Sequence, residues 1–103
     1  MSKPKRKWWG YAKNVLRSYP LLKKRKRTLD MQESRELEAV EKALDELKEM
    51  ETGKERLIIA ERVFFRQSHT LGGASMLAHI SYETAVLYHR DLIISVGKHL
   101  GLA

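Results

Sequence analysis

Leu37, Val40, Leu44 and Leu47 follow one another at spacings of three, four and three, and the residues between them are mostly Glu, Lys and Asp. Such an interval returns side chains to one face of an α-helix, whereas a strand would alternate at every second residue. The stretch is therefore a helix with one apolar seam, and that seam must be covered. About two heptads fall short of the three or four that mark a coiled coil. Two covers are open: a second copy of the chain, which makes Leu37, Val40, Leu44 and Leu47 a homodimer seam, or the N-terminal helices of the same chain. Just ahead, Asp30-Met31-Gln32-Glu33 has the spacing of a capping box, with Asp30 as N-cap and Glu33 returning the bond. Thr52-Gly53 is expected to end the helix, with Gly53 as the left-handed residue past its last turn.

The rest of the chain divides into helices in the same way. Trp8, Ala12, Val15, Leu16 and Tyr19 fall at i, i+4, i+7, i+8 and i+11, one face of an amphipathic helix. Pro20 suits the first turn of a following helix better than the interior of this one, so a second helix is expected from Leu21 into Lys23-Lys24-Arg25-Lys26-Arg27. Lys54–Gln67 is apolar over too wide an arc for a single stripe and is expected to be a central core helix. No segment has the signature of a strand. The expectation is an all-α fold, a small helical domain of four to six helices with a C-terminal helix-turn-helix. Its parts are a basic helical segment over 1–30, an amphipathic helix over 31–52 and the helix-turn-helix unit over 54–103.

Charge is distributed unevenly along the 103 residues. Residues 1–30 hold eleven of the twenty Lys and Arg but only one acid, Asp30, while residues 31–103 carry nine basic and twelve acidic groups. The net charge of +7 is thus entirely N-terminal. Such a block attracts polyanions. Lys5, Arg6 and Lys7 with Lys23, Lys24, Arg25, Lys26 and Arg27 are the expected phosphate contacts. The longest purely aliphatic run, Leu57-Ile58-Ile59-Ala60, is too short for a signal-peptide core or a membrane span, so no membrane partner is expected. With no cysteine, thiolate metal sites and disulfides are excluded. His69, His79, His89 and His99 recur every ten residues, a spacing that does not bring them together as an i, i+4 pair would. No cofactor, metal or catalytic constellation is expected, and an enzyme is the least favoured class.

The last third supplies the sharpest functional pattern. Leu71, Ala74, Ser75 and Ala78 would form the buried side of a short helix. His79 would occupy the turn, Ile80 would fill the angle, and Ser81 would cap a second helix. Ala85, Tyr88 and Leu92 would then face the core. In a DNA-binding helix-turn-helix the early residues of the second helix meet base edges in the major groove. Ser81, Tyr82, Glu83, Thr84, Val86 and Leu87 are the candidates for base contact: Glu accepts from a cytosine amino group, and apolar side chains touch a thymine methyl. Arg90 would contact phosphate. Set against this, Glu83 and Asp91 oppose Arg90, so the helix is nearly neutral.

Thr70–Leu100 resembles the region-four module of sigma factors. More widely, the chain resembles the ArpU/RinA-type regulators of phages and prophages of Gram-positive bacteria. The matching pieces are Trp8 through Pro20, Arg56-Leu57, Val63-Phe64-Phe65, Ser68-His69-Thr70-Leu71, Ser81-Tyr82-Glu83-Thr84-Ala85 and His89. They span most of the chain in the family's order. The chain is shorter than such relatives between Pro20 and Leu37. The resemblance implies a sequence-specific activator of late phage operons, bound to double-stranded DNA in the bacterial host cytoplasm and associated with the nucleoid. Two other readings stay open: a small terminase subunit of phage DNA packaging, and a module that binds RNA polymerase through the region-four-like fold.

Overall fold

A computed structural model describes residues 7–102. Within them lie five α-helices: α1 Trp9–Lys24, α2 Met31–Lys48, α3 Gly53–Ile59, α4 Leu71–Ala78 and α5 Tyr82–His99. A 3-10 turn, Lys26–Thr28, joins α1 to α2, and a π-helical segment, Ala60–Phe65, continues α3. The all-α expectation holds, with no strand among the described residues.

α2 forms as its sequence demands. Glu33 N–H donates to Asp30 Oδ1 at 2.7 Å and Asp30 N–H to Glu33 Oε1 at 3.2 Å, which completes the capping box. Leu37, Val40, Leu44 and Leu47 are all buried, but against α1 and α5 of the same chain. Of the two covers open to the seam, the intramolecular one is realised. The homodimer reading of these four residues is therefore corrected, because their apolar surface is already spent inside the chain. α1, α2 and the second half of α5 share this one core.

Three local expectations also change. α1 does not stop at Pro20 but runs through it to Lys24. A mid-helix proline costs about 3 kcal/mol. Tyr19 and Leu22 flank it on the buried face, and burying two such side chains at about 1.5–3 kcal/mol each outweighs that cost. Gly53 is not a left-handed cap: it opens α3, and its N–H donates to Met50 O at 3.0 Å. A Cβ there would lie 2.5 Å from Leu47 O, so glycine lets α3 start hard against the end of α2. Finally, Lys54–Gln67 is not one α-helix. Ile59 and Ala60 are consecutive and both buried, yet they serve different cores. Neighbours on a helix point about 100° apart, which lets the two face different cores, and the π segment begins at Ala60, with Arg66 N–H reaching back to Glu61 O at 2.7 Å. Gln67, at φ 51°, ends it in the left-handed region.

The larger core joins α1, α2, Ala60 and Phe64 to the second half of α5, through Leu92, Ile93 and Val96. A smaller one gathers Ile59, Ala74 and Ala85, flanked by Val63, Leu71, Ile80 and Tyr88. α5 belongs to both and ties them together. Contacts at two points give α1 its direction along α5. Trp8 lies on Gly97. At the other end the Tyr19 ring meets Phe65 at 4.9 Å, and the adjacent Phe64 stacks on His89 at 4.8 Å. α1 thus runs back from the C-terminal end of α5 toward its middle.

Candidate nucleic-acid interface

The smaller core exists to hold α4 against the start of α5. Thr70 caps α4 by accepting from Gly73 N–H at 3.1 Å. Ala74, Ser75 and Ala78 form its buried side, and the Ser75 hydroxyl is satisfied by Gly72 O at 2.7 Å. α4 ends in a Schellman closure: His79 N–H donates to Met76 O at 3.2 Å and Ile80 N–H to Ser75 O at 3.1 Å. The residue that closes it, His79, sits at φ 59° and ψ 44°. Glycine usually fills this position, and His79 accepts the crowding at Cβ. Two residues later Ser81 caps α5, its Oγ accepting from Thr84 N–H at 3.1 Å. Ala74 and Ala85 are both fully buried, and such small side chains let the two helices approach closely.

This arrangement decides which expected residues face outward. Tyr82, Val86 and Leu87 are exposed at 56, 38 and 42%, and Ser81, Glu83 and Arg90 are exposed as well. Thr84 is half-buried and bonded to Ser81 through both its N–H and its hydroxyl, so it serves the cap more than the surface. Met76 and Leu77, at the end of α4, are exposed too and enlarge the apolar character of this end. The helical wheel of α4 places Met76 opposite Ala74 and Ala78, and Leu77 at the edge of that buried side.

Asp91 does not belong to this face. Its carboxylate pairs with Arg56 Nη1 at 3.2 Å, while the Arg56 guanidinium lies 4.1 Å above the Tyr88 ring and its Nε donates to Thr52 Oγ1 at 2.8 Å. Arg56 is largely buried, so this knot fastens α3 to α5 by charge, stacking and hydrogen bond together. The outward charge of the first half of α5 is then Glu83 against Arg90 alone.

The basic residues lie elsewhere, just before α1, on it and on the turn after it. Lys7, Lys23, Lys24, Arg25, Lys26 and Arg27 are all exposed. Lys23 lies 5.5 Å from the centre of the Tyr19 ring, and Arg25 meets Glu33 at 3.4 Å. Burial first, then the Glu41 and Asp45 carboxylates, hold the Tyr19 phenol above its ordinary value. Lys5 and Arg6 fall outside the described residues. The four histidines are dispersed: His69 bonds Ser68, His79 closes α4, His89 stacks on Phe64 and His99 pairs with Glu46 at 3.0 Å. Among the described residues, no three His, Asp or Glu side chains converge as metal ligands, and no helix is long and apolar enough to cross a membrane. Comparison with protein-family models, with characterised proteins and with solved structures gives no match.

Proposed function

We propose that this protein is a sequence-specific DNA-binding transcription regulator. In this reading α4 and α5 act as a helix-turn-helix whose second helix enters the major groove, and the resemblance to ArpU/RinA-type regulators makes it an activator of phage or prophage late genes. One observation carries the reading. α4, a three-residue turn and a Ser-capped α5 pack on their own small core and leave Tyr82, Glu83, Val86, Leu87 and Arg90 exposed on the leading turns of α5. That is the geometry a helix needs to present side chains to base edges. The excess positive charge at the other end of the chain supplies the sequence-independent attraction that this nearly neutral helix lacks. Selection of tight binders from a pool of random duplexes tests the proposal directly. A recurring motif of several base pairs is the expected result, and a pool that stays random after repeated rounds removes it.

A second reading is favoured by a specific feature, the apolar side chains Met76, Leu77, Val86 and Leu87 exposed together with so little charge. Here the same end docks on RNA polymerase. Leu87→Ala would then weaken capture of polymerase while leaving duplex affinity as it was.

A further inference from the structure

Tyr82, Val86, Ile93 and Gly97 fall at i, i+4, i+11 and i+15 along α5, one stripe of the helix. Its two halves are treated differently. Ile93 and Gly97 are buried, and Gly97 lies under Trp8 at the start of α1. Tyr82 and Val86 are open. α1 therefore stands on the side of α5 to which its leading residues point, set back along the axis. Because α1 runs from Gly97 toward the middle of α5, its basic end and the following turn are carried toward the open half.

The outward face of α1 is itself a charged track. Arg17 and Lys24, seven residues apart, fall on the side opposite Val15, Tyr19 and Leu22, and no acid occurs before Asp30. α2 packs beside it with six acidic residues between Met31 and Lys48, and one of them, Glu33, meets Arg25 at 3.4 Å. Arg17, Lys24, Lys26 and Arg27 are exposed and left for an external anion. A lipid surface fits less well, because the apolar face that an interfacial helix would insert is the one that α1 buries in the core.

We infer that the solvent face of α1, through Arg17 and Lys24 and continuing into Lys26 and Arg27, binds the phosphate backbone of the same duplex whose bases α5 meets. This rests on the DNA reading above and adds to it a second contact surface and a residue, Arg17, that the basic cluster in the sequence does not include. α1 is a positioning surface: it neutralises phosphates without regard to sequence and sets the register of α5.

The test is the salt dependence of binding to a random-sequence duplex, measured by fluorescence anisotropy with the full chain between about 50 and 200 mM salt. Each lost phosphate contact should reduce the slope of log K against log salt by about 0.9. Arg17→Gln should therefore flatten it by about 0.9 and Arg17→Gln/Lys24→Gln by about 1.8, equally on random duplex and on a selected motif. Both side chains are exposed, so an unchanged thermal midpoint will show that the variants are folded. An unchanged slope in the folded double variant overturns the inference. So does a variant that keeps its duplex affinity but loses binding to vesicles of equal parts phosphatidylcholine and phosphatidylserine. A protein that selects no motif yet binds random duplex with a slope that Arg17→Gln flattens would overturn base reading by α5 and leave the α1 track standing.

Discussion

Trp8 covers Gly97 so closely that a Cβ on Gly97 would lie 2.5 Å from the indole Cζ3 and 2.8 Å from Cη2. This contact closes the larger core between the first turn of α1 and the last turn of α5. Glycine inside a helix normally costs about 1 kcal/mol relative to alanine, so propensity alone says that Gly97→Ala should stabilise the protein. Packing predicts the reverse, since forcing a methyl group into a filled site costs about 1–3 kcal/mol. Gly97→Ala should lower stability by about 1 kcal/mol or more in urea unfolding. In a Trp8→Ala background the same change should become stabilising, and that reversal in the double-mutant cycle distinguishes the contact from a general dislike of alanine. A loss of equal size in both backgrounds contradicts the prediction.

How far the chain could be read in advance depended on whether a signal was local. The Asp30–Glu33 box and the Ser81 cap are short-range bonds between residues three apart, and both stand as the sequence indicates. The seam Leu37–Leu47 fixed a helix and a face but not what covers it, because periodicity is silent about a partner. Pro20 and Gly53 depart from expectation for the converse reason: each has a strong local meaning that tertiary packing overrides. The π segment left only a broad apolar arc, which becomes intelligible once Ile59 and Ala60 are seen to serve two cores. At the candidate interface, α5 could be read from its own wheel. Arg56 could not be matched to Asp91 without the fold.

His79 holds a left-handed backbone that costs a residue with a Cβ about 1–2 kcal/mol. Its side chain is exposed, so little packing is lost on removing it. Glycine at this position gives back part of the gain through the greater entropy of its unfolded chain, about 0.5–1 kcal/mol. His79→Gly should raise stability by up to about 1 kcal/mol, seen as a higher thermal midpoint. A lower midpoint would mean that the imidazole makes a contact that the fold depends on.

Glu46 links α2 to the end of α5, its Oε2 lying 3.0 Å from His99 Nε2 and its Oε1 accepting from Ser95 Oγ at 3.1 Å. The His99 hydrogen bond, which outweighs the opposing effect of burial and is helped by Ser95 and by the charges of His99 and Lys98, holds the carboxyl below its ordinary value of 4.5. A carboxyl so lowered contributes stability that is complete above that value and is lost as pH falls through the lowered one. The side chain is 56% exposed, so solvent and salt keep the contribution below about 1 kcal/mol. Wild type should exceed Glu46→Gln in urea unfolding at about pH 5.5, and the two should converge toward about pH 3. A gap that persists unchanged at the acid end would assign the effect of the substitution to packing.

Glu83 is the one acid exposed on the leading turns of α5, and under the proposed DNA reading its charge and its acceptor oxygens have opposite effects. As a charge in the first turn it favours the helix dipole by about 0.3–1 kcal/mol. Beside phosphates it repels, so Glu83→Gln should bind random duplex more tightly than the wild type does. As an acceptor for a cytosine amino group it should supply about 1–3 kcal/mol of discrimination at one base pair. Affinity for random sequence and preference for the selected motif should therefore move in opposite directions. Tyr82→Ala, which alters no charge, should change preference with the salt slope intact. Competition binding with motif and random duplexes at fixed salt measures both quantities. If Glu83→Gln tightens both duplexes equally, Glu83 acts only through its charge, and base contact by α5 then rests on Tyr82, Val86 and Leu87.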